Sequence, residues 1–148
     1  MLSLLAAMAA LLTTEAAAQQ AASLCVDFTY AANTDDERYI PMPFTGSYEV
    51  TGIMFAPATA VAVNASNVNA FTVAMNAGTA STSWTTLASH TTDSDLTSSA
   101  YVIGTVIDLT VTKPATVSRG YQFRVENTNG GTGAAFDGAV CIALRKVG

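Results

Sequence analysis

Charge is scarce in this chain. Of its 148 residues, 11% are Asp, Glu, Lys or Arg, against about 25% in an ordinary soluble domain. Six basic residues face eleven acidic ones, a net charge of −5, and no basic run exceeds Arg145-Lys146. Binding to nucleic acid needs a clustered positive surface, so a nucleic-acid partner is excluded. Histidine occurs once, as His90, and cysteine twice, as Cys25 and Cys141. A structural zinc site needs four ligands in close sequence pairs, so its usual forms are excluded. No apolar run reaches the roughly 20 residues of a membrane-spanning helix. The longest, residues 1–12, is stopped by Thr13, Thr14 and Glu15. Missing too are a phosphate-cradling glycine loop ahead of a helix and a Gly-x-Ser-x-Gly elbow. Neither a cofactor nor a metal is expected, and the chain does not read as an enzyme.

What is present is apolar and small. Half the residues are hydrophobic, many of them alanine, which argues against intrinsic disorder. The length suits one domain with an extension. Residues 1–12 admit two further readings. One is a secretory signal, with the small residues of 15–19 for cleavage; its positive n-region is missing, since the first basic residue is Arg38. The other is a short helix with Leu4, Leu5, Met8, Leu11 and Leu12 on one stripe. Thr13 or Thr14 would cap a second helical piece over 15–23. A helix this short is marginal alone, so its stripe needs a partner and is the expected protein interface. The chain thus divides into a helical extension, 1–23, and a β-domain, 24–148.

From Leu24 the hydrophobic period becomes two. Leu24, Val26, Phe28 and Tyr30 alternate with Cys25, Asp27 and Thr29, a half-buried strand. A polar loop follows over 33–37, then an extended stretch whose Pro41 and Pro43 bar a central strand. Further strands are predicted over 47–55, 58–63, 71–75, part of 81–99 and 121–126, and residues 101–112 read as a strand pair or one bent strand. Residues 127–131 read as a turn. A last strand directs Phe136, Val140, Ile142 and Leu144 inward and Asp137, Ala139, Cys141, Ala143 and Arg145 outward. Seven or eight short strands with frequent turns indicate an all-β, jelly-roll-like antiparallel sandwich.

Cys25 and Cys141 fall on the first and last strands, both in the outward phase. They form a disulfide, implying an oxidising compartment, or they remain free thiols covered by the N-terminal helix or a neighbouring subunit. The absence of a basic leader favours the thiols. His90 reads as an exposed loop histidine. Asp35-Asp36-Glu37 and Asp93-x-Asp95 read as solvated acidic loops rather than calcium ligands. Asn64-Ala65-Ser66 is a formal glycosylation sequon. Trp84 with Tyr39, Tyr48, Tyr101 and Tyr121 would suit a sugar-binding platform, but aromatics spread over separate strands more often serve a core or an interface.

Residues 39–145 resemble the proteins that decorate or cement the outer capsid of tailed bacteriophages. The resemblance runs through Ile40-Pro41-Met42-Pro43-Phe44-Thr45-Gly46-Ser47-Tyr48-Glu49-Val50, then Phe55-Ala56-Pro57-Ala58-Thr59-Ala60-Val61. It continues through Asn64-Ala65-Ser66-Asn67, Phe71-Thr72-Val73 and Val117-Ser118-Arg119-Gly120-Tyr121-Gln122-Phe123, and ends in the glycine-rich turn and final strand of 131–143. It implies a β-sandwich, usually a homotrimer, seated where capsid hexamers meet, with the major capsid protein as partner and no active site. The location implied is the outer capsid surface of the virion, after synthesis in the host cytoplasm. The competing expectation is a secreted β-sandwich, an adhesin or carbohydrate-binding module, with a cleaved leader and a Cys25–Cys141 bridge.

Overall fold

The computed structural model describes residues 21–63, 68–78, 82–92, 100–113, 115–129 and 133–147. Among them the chain forms nine strands and no helix: β1 Ala21–Tyr30, β2 Asp36–Pro41, β3 Ser47–Pro57, β4 Asn69–Asn76, β5 Thr85–Thr91, β6 Ile107–Leu109, β7 Thr116–Ser118, β8 Gln122–Asn129 and β9 Phe136–Val147. The helical extension, including Leu4, Leu5, Met8, Leu11 and Leu12, lies outside the described residues apart from its last three. Ala21, Ala22 and Ser23 are strand rather than the end of a helix, because each pairs with β9.

Two antiparallel sheets make a sandwich. One has the order β1-β9-β3-β6, with β7 also on β3; the other is β2-β8-β4-β5. The pairs converge along the chain. Ala21 faces Arg145, Asp36 faces Asn127, Ser47 faces Ser118, and Ala70 faces Thr91. The chain is therefore one long hairpin, closing between β4 and β5, and folded over on itself. The fold-over adds the pairs β3–β9 and β4–β8.

Period-two patterning places the core. On β9, Phe136, Val140, Ile142 and Leu144 are buried, and on β8 so are Phe123 and Val125. The core is not uniform. At one end Phe28, Tyr30, Phe55, Phe71, Tyr101 and Phe136 form an aromatic knot with Phe55 at its centre, 4.8 Å from Tyr101 and 5.0 Å from Phe71 between ring centroids. Tyr30 is held there by its hydroxyl, which donates to the Val125 carbonyl at 3.1 Å. Burial raises the Tyr30 and Tyr101 phenols far above their ordinary value. Gly138 makes the knot possible: a Cβ there would sit 2.8 Å from both the Ala56 carbonyl oxygen and the Phe55 ring.

At this aromatic end Tyr30 faces Phe136, Pro57 faces Gly138 and Asn69 faces Asn129. The β1–β2, β3–β4, β5–β6 and β8–β9 connections all leave from it. Ala21 and Val147 lie at the opposite end, the base.

Several expectations are corrected. Asp36 and Glu37 belong to β2, since both pair with β8. Residues 58–63 contribute only a single bridge, Val61 to Tyr101. Of the two expectations for 101–112, the single bent strand is excluded: Gly104 (φ 79°) and the Thr105 N–H to Val102 carbonyl bond (3.2 Å) make a turn between the Tyr101 bridge and β6. Asn127 and Asn129 are strand, not turn, and are buried. The β1–β2 loop takes up two donors of Asn129: its backbone N–H donates to Asp35 Oδ1 (2.7 Å) and its amide to the Thr34 carbonyl (2.6 Å). β7 was not anticipated. Pro41 does close an edge strand, where a missing N–H is harmless.

Candidate functional site

The outer faces of the two sheets differ in chemistry. On the five-stranded sheet, Cys25 and Cys141 are direct cross-strand partners, with Cα atoms 4.1 Å apart, and their sulfurs are bonded. The expectation of two covered thiols is overturned. Both side chains do take the outward phase, and Cys25 is exposed. Opposite Cys141 on β3 sits Met54, itself exposed, and the register beside them is Ala56 to Ala139 and Gly52 to Ala143. The centre of this face is made of small and apolar side chains; around it stand Asp27, opposite Ala139, Asp108, opposite Met54, Asp137 and the Glu49–Arg145 ion pair.

The four-stranded sheet carries a charged and aromatic cluster instead. Ile40 on β2 and Phe123 and Val125 on β8 point into the core, so their neighbours Glu37, Tyr39, Arg124 and Glu126 point out. Tyr39 is opposite Arg124, and Glu37 is opposite Glu126. Arg124 bonds both carboxylates, at 3.2 Å to Glu37 and 2.9 Å to Glu126. Its guanidinium carbon lies 4.8 Å from the centre of the Trp84 ring. The Tyr39 and Trp84 centroids are 5.7 Å apart. The Tyr39 hydroxyl donates to Glu37, and that bond raises its phenol above the ordinary value. Of the aromatics considered together from sequence, Tyr48 and Tyr101 are core and Tyr121 is only half-buried, while Tyr39 and Trp84 meet on this face. Arg124, Glu37 and Glu126 had not been singled out as a group. Their signal was the polar phase of two alternating strands, visible only once β2 is known to pair with β8.

At the loop end, the turn at 102–106 exposes Val102, Ile103 and Val106. At the same end an open cleft of about 500 Å³ is lined in part by Tyr30, Asp36, Thr59, Phe136 and Asp137. His90 is on β5, not in a loop, and its ring centroid is 5.5 Å from that of Tyr101. Burial lowers its pKa. In the first acidic loop, Asp35 accepts from Asn129 and Asp36 pairs with Arg38 at 3.2 Å. No group of three or more His, Cys, Asp or Glu suited to a metal occurs among the described residues. The sequon and Asp93-x-Asp95 lie outside them. No described helix is long and apolar enough to cross a membrane.

No protein-family model, no curated protein and no solved structure matches this chain.

Proposed function

We propose that this chain is a structural virion protein that decorates and cements the outer surface of an assembled coat, binding the major capsid protein and, as a homotrimer, itself. The carrying observation is the outer face of the five-stranded sheet. Ala56, Ala139, Ala143, Met54 and the disulfide give it a central patch of small, uncharged side chains, which desolvates at little cost against another protein, with Asp27, Asp108 and Asp137 as its polar rim. The strand order, with β6 and β7 taken as two halves of one interrupted strand on β3, fits the eight-strand jelly roll, an architecture common to capsid and lectin domains. Fold alone does not define function. Disulfides persist on virion surfaces as they do in exported proteins.

Attachment through this face leaves the outer face of the four-stranded sheet free, and the leucine-striped segment, which precedes β1 in the chain, is the second anchor. Sedimentation of the protein with coat shells that lack it tests the reading. Binding should be retained by the intact chain and lost on deletion of residues 1–12 or in Ala139→Glu. Absence from purified particles, or indifference to both changes, overturns it.

The disulfide also favours a second reading, an exported sandwich module with its leader removed. The intact mass of the mature protein separates the two: a start at Met1 or Leu2 excludes export with cleavage, and a start after the apolar run excludes the leucine stripe as anchor.

A further inference from the structure

We propose that the outer face of the four-stranded sheet binds a neutral glycan, with Tyr39 as the stacking ring, Trp84 tilted at 51° beside it as a wall, and Glu37, Glu126 and Arg124 as the polar edge. The arrangement is poorly explained by sheet stability. Two glutamates directly opposite across a strand pair repel, and opposite charges there would serve the sheet better. Here Glu37 faces Glu126, and Arg124 must bridge both. The guanidinium's Nε is buried without a partner, a further cost. Such local rule-breaking is characteristic of sites kept for binding.

The chemistry of the cluster selects the ligand class. A pyranose ring offers an apolar face of C–H groups and a rim of hydroxyls. Tyr39 is 54% exposed, so its ring is open to stacking. The two carboxylates are fixed in place by Arg124 and retain lone pairs for hydroxyl donors. A cationic ligand is disfavoured because Arg124 already occupies the Trp84 ring and neutralises one of the two negative charges. An anionic ligand would meet the remaining one. The platform continues across the sheet in register: Glu126 faces Thr72, and Thr72 faces Ser89. That polar row, from the carboxylates of Glu37 and Glu126 to the hydroxyls of Thr72 and Ser89, spans four strands, ~14 Å at the usual strand spacing, enough for a short oligosaccharide. This face is separate from the five-stranded face assigned to coat contact, so the proposal does not rest on that reading.

Trp84 is the chain's single tryptophan, so its emission reports on this site alone. Titration of the intact, oxidised protein with maltose, lactose and N,N′-diacetylchitobiose, and screening on a glycan array, should give saturable binding to at least one glycan. Tyr39→Ala, which keeps the tryptophan, should weaken that binding by about tenfold or more, the loss of one well-stacked ring. Glu126→Gln should weaken it less, and both variants should keep the wild-type melting temperature within a few degrees. Should Tyr39→Ala melt early, Tyr39→Phe serves instead: it keeps the stacking ring and loses only the bond to Glu37, so binding should survive. No saturable change with any probe, or equal binding by Tyr39→Ala, overturns the proposal. A response to oligolysine alone also overturns it, in favour of a basic protein partner.

Discussion

The two sheets solve the same problem by different means. The five-stranded sheet contains both ends of the β-domain, β1 and β9, and its outermost strand on that side is β1. Among the described residues β1 pairs on one side only, with β9, and an edge strand at the margin of a domain frays readily. This sheet is closed covalently, by Cys25–Cys141. The four-stranded sheet is made of interior strands, each tethered at both ends, and its outer face carries ion pairs and rings in place of a cross-link. Where the chain itself restrains the strands, the outer face is released from stabilising them. There a glutamate can stand opposite a glutamate.

The largest effect tests what the sheets share. Phe55→Ala removes the centre of the aromatic knot and should cost about 3–5 kcal/mol, read as a drop in the urea midpoint with both sheets lost together. Next comes the clamp. Cys25→Ser/Cys141→Ser releases a constraint spanning 116 residues and should cost about 2–4 kcal/mol. Hydrogen exchange should then show β1 opening first; equal loss of protection in β4 and β8 would break the comparison. Gly138→Ala pushes a methyl against the Ala56 carbonyl and the Phe55 ring and should cost about 1–3 kcal/mol.

Arg124→Met leaves Glu37 and Glu126 face to face without their bridge, yet on a surface open to solvent this should cost under about 1 kcal/mol. A larger loss would make the cluster structural. The smallest effect belongs to His90. Burial holds its folded pKa below the unfolded value of about 6.5, so the unfolded chain takes up a proton first as pH falls. Its contribution to stability is complete above that value and is lost as pH drops through the folded pKa. His90→Gln should flatten the melting temperature of the protein between neutral and mildly acidic pH.

The alternating phases of β1, β8 and β9 were legible because each buries one face, and a strand with one wet side writes its period into the sequence. The inward set of β9 was read residue by residue. Asn127 and Asn129 misled because asparagine signals a turn in isolation; here the β1–β2 loop supplies the partner that lets Asn129 extend a strand. Over 101–112 the aliphatic content leaves a bent strand and a strand pair equally open, and only Gly104 at positive φ puts a turn there. The Cys25–Cys141 pairing depended on register between strands 116 residues apart, which no local pattern contains. The cluster around Arg124 was invisible for the same reason.

The converging order of the pairs also sets a schedule for synthesis. A ribosome delivers β1 first and β9 last, and only β9 can pair with the long edge of β1. Throughout translation the leading strand waits unpaired with its thiol exposed, and the innermost hairpin of β4 and β5 is the earliest that can close. Until Cys141 has emerged Cys25 has no second thiol in this sequence to join, and any earlier mixed disulfide must be resolved by exchange before the clamp can close.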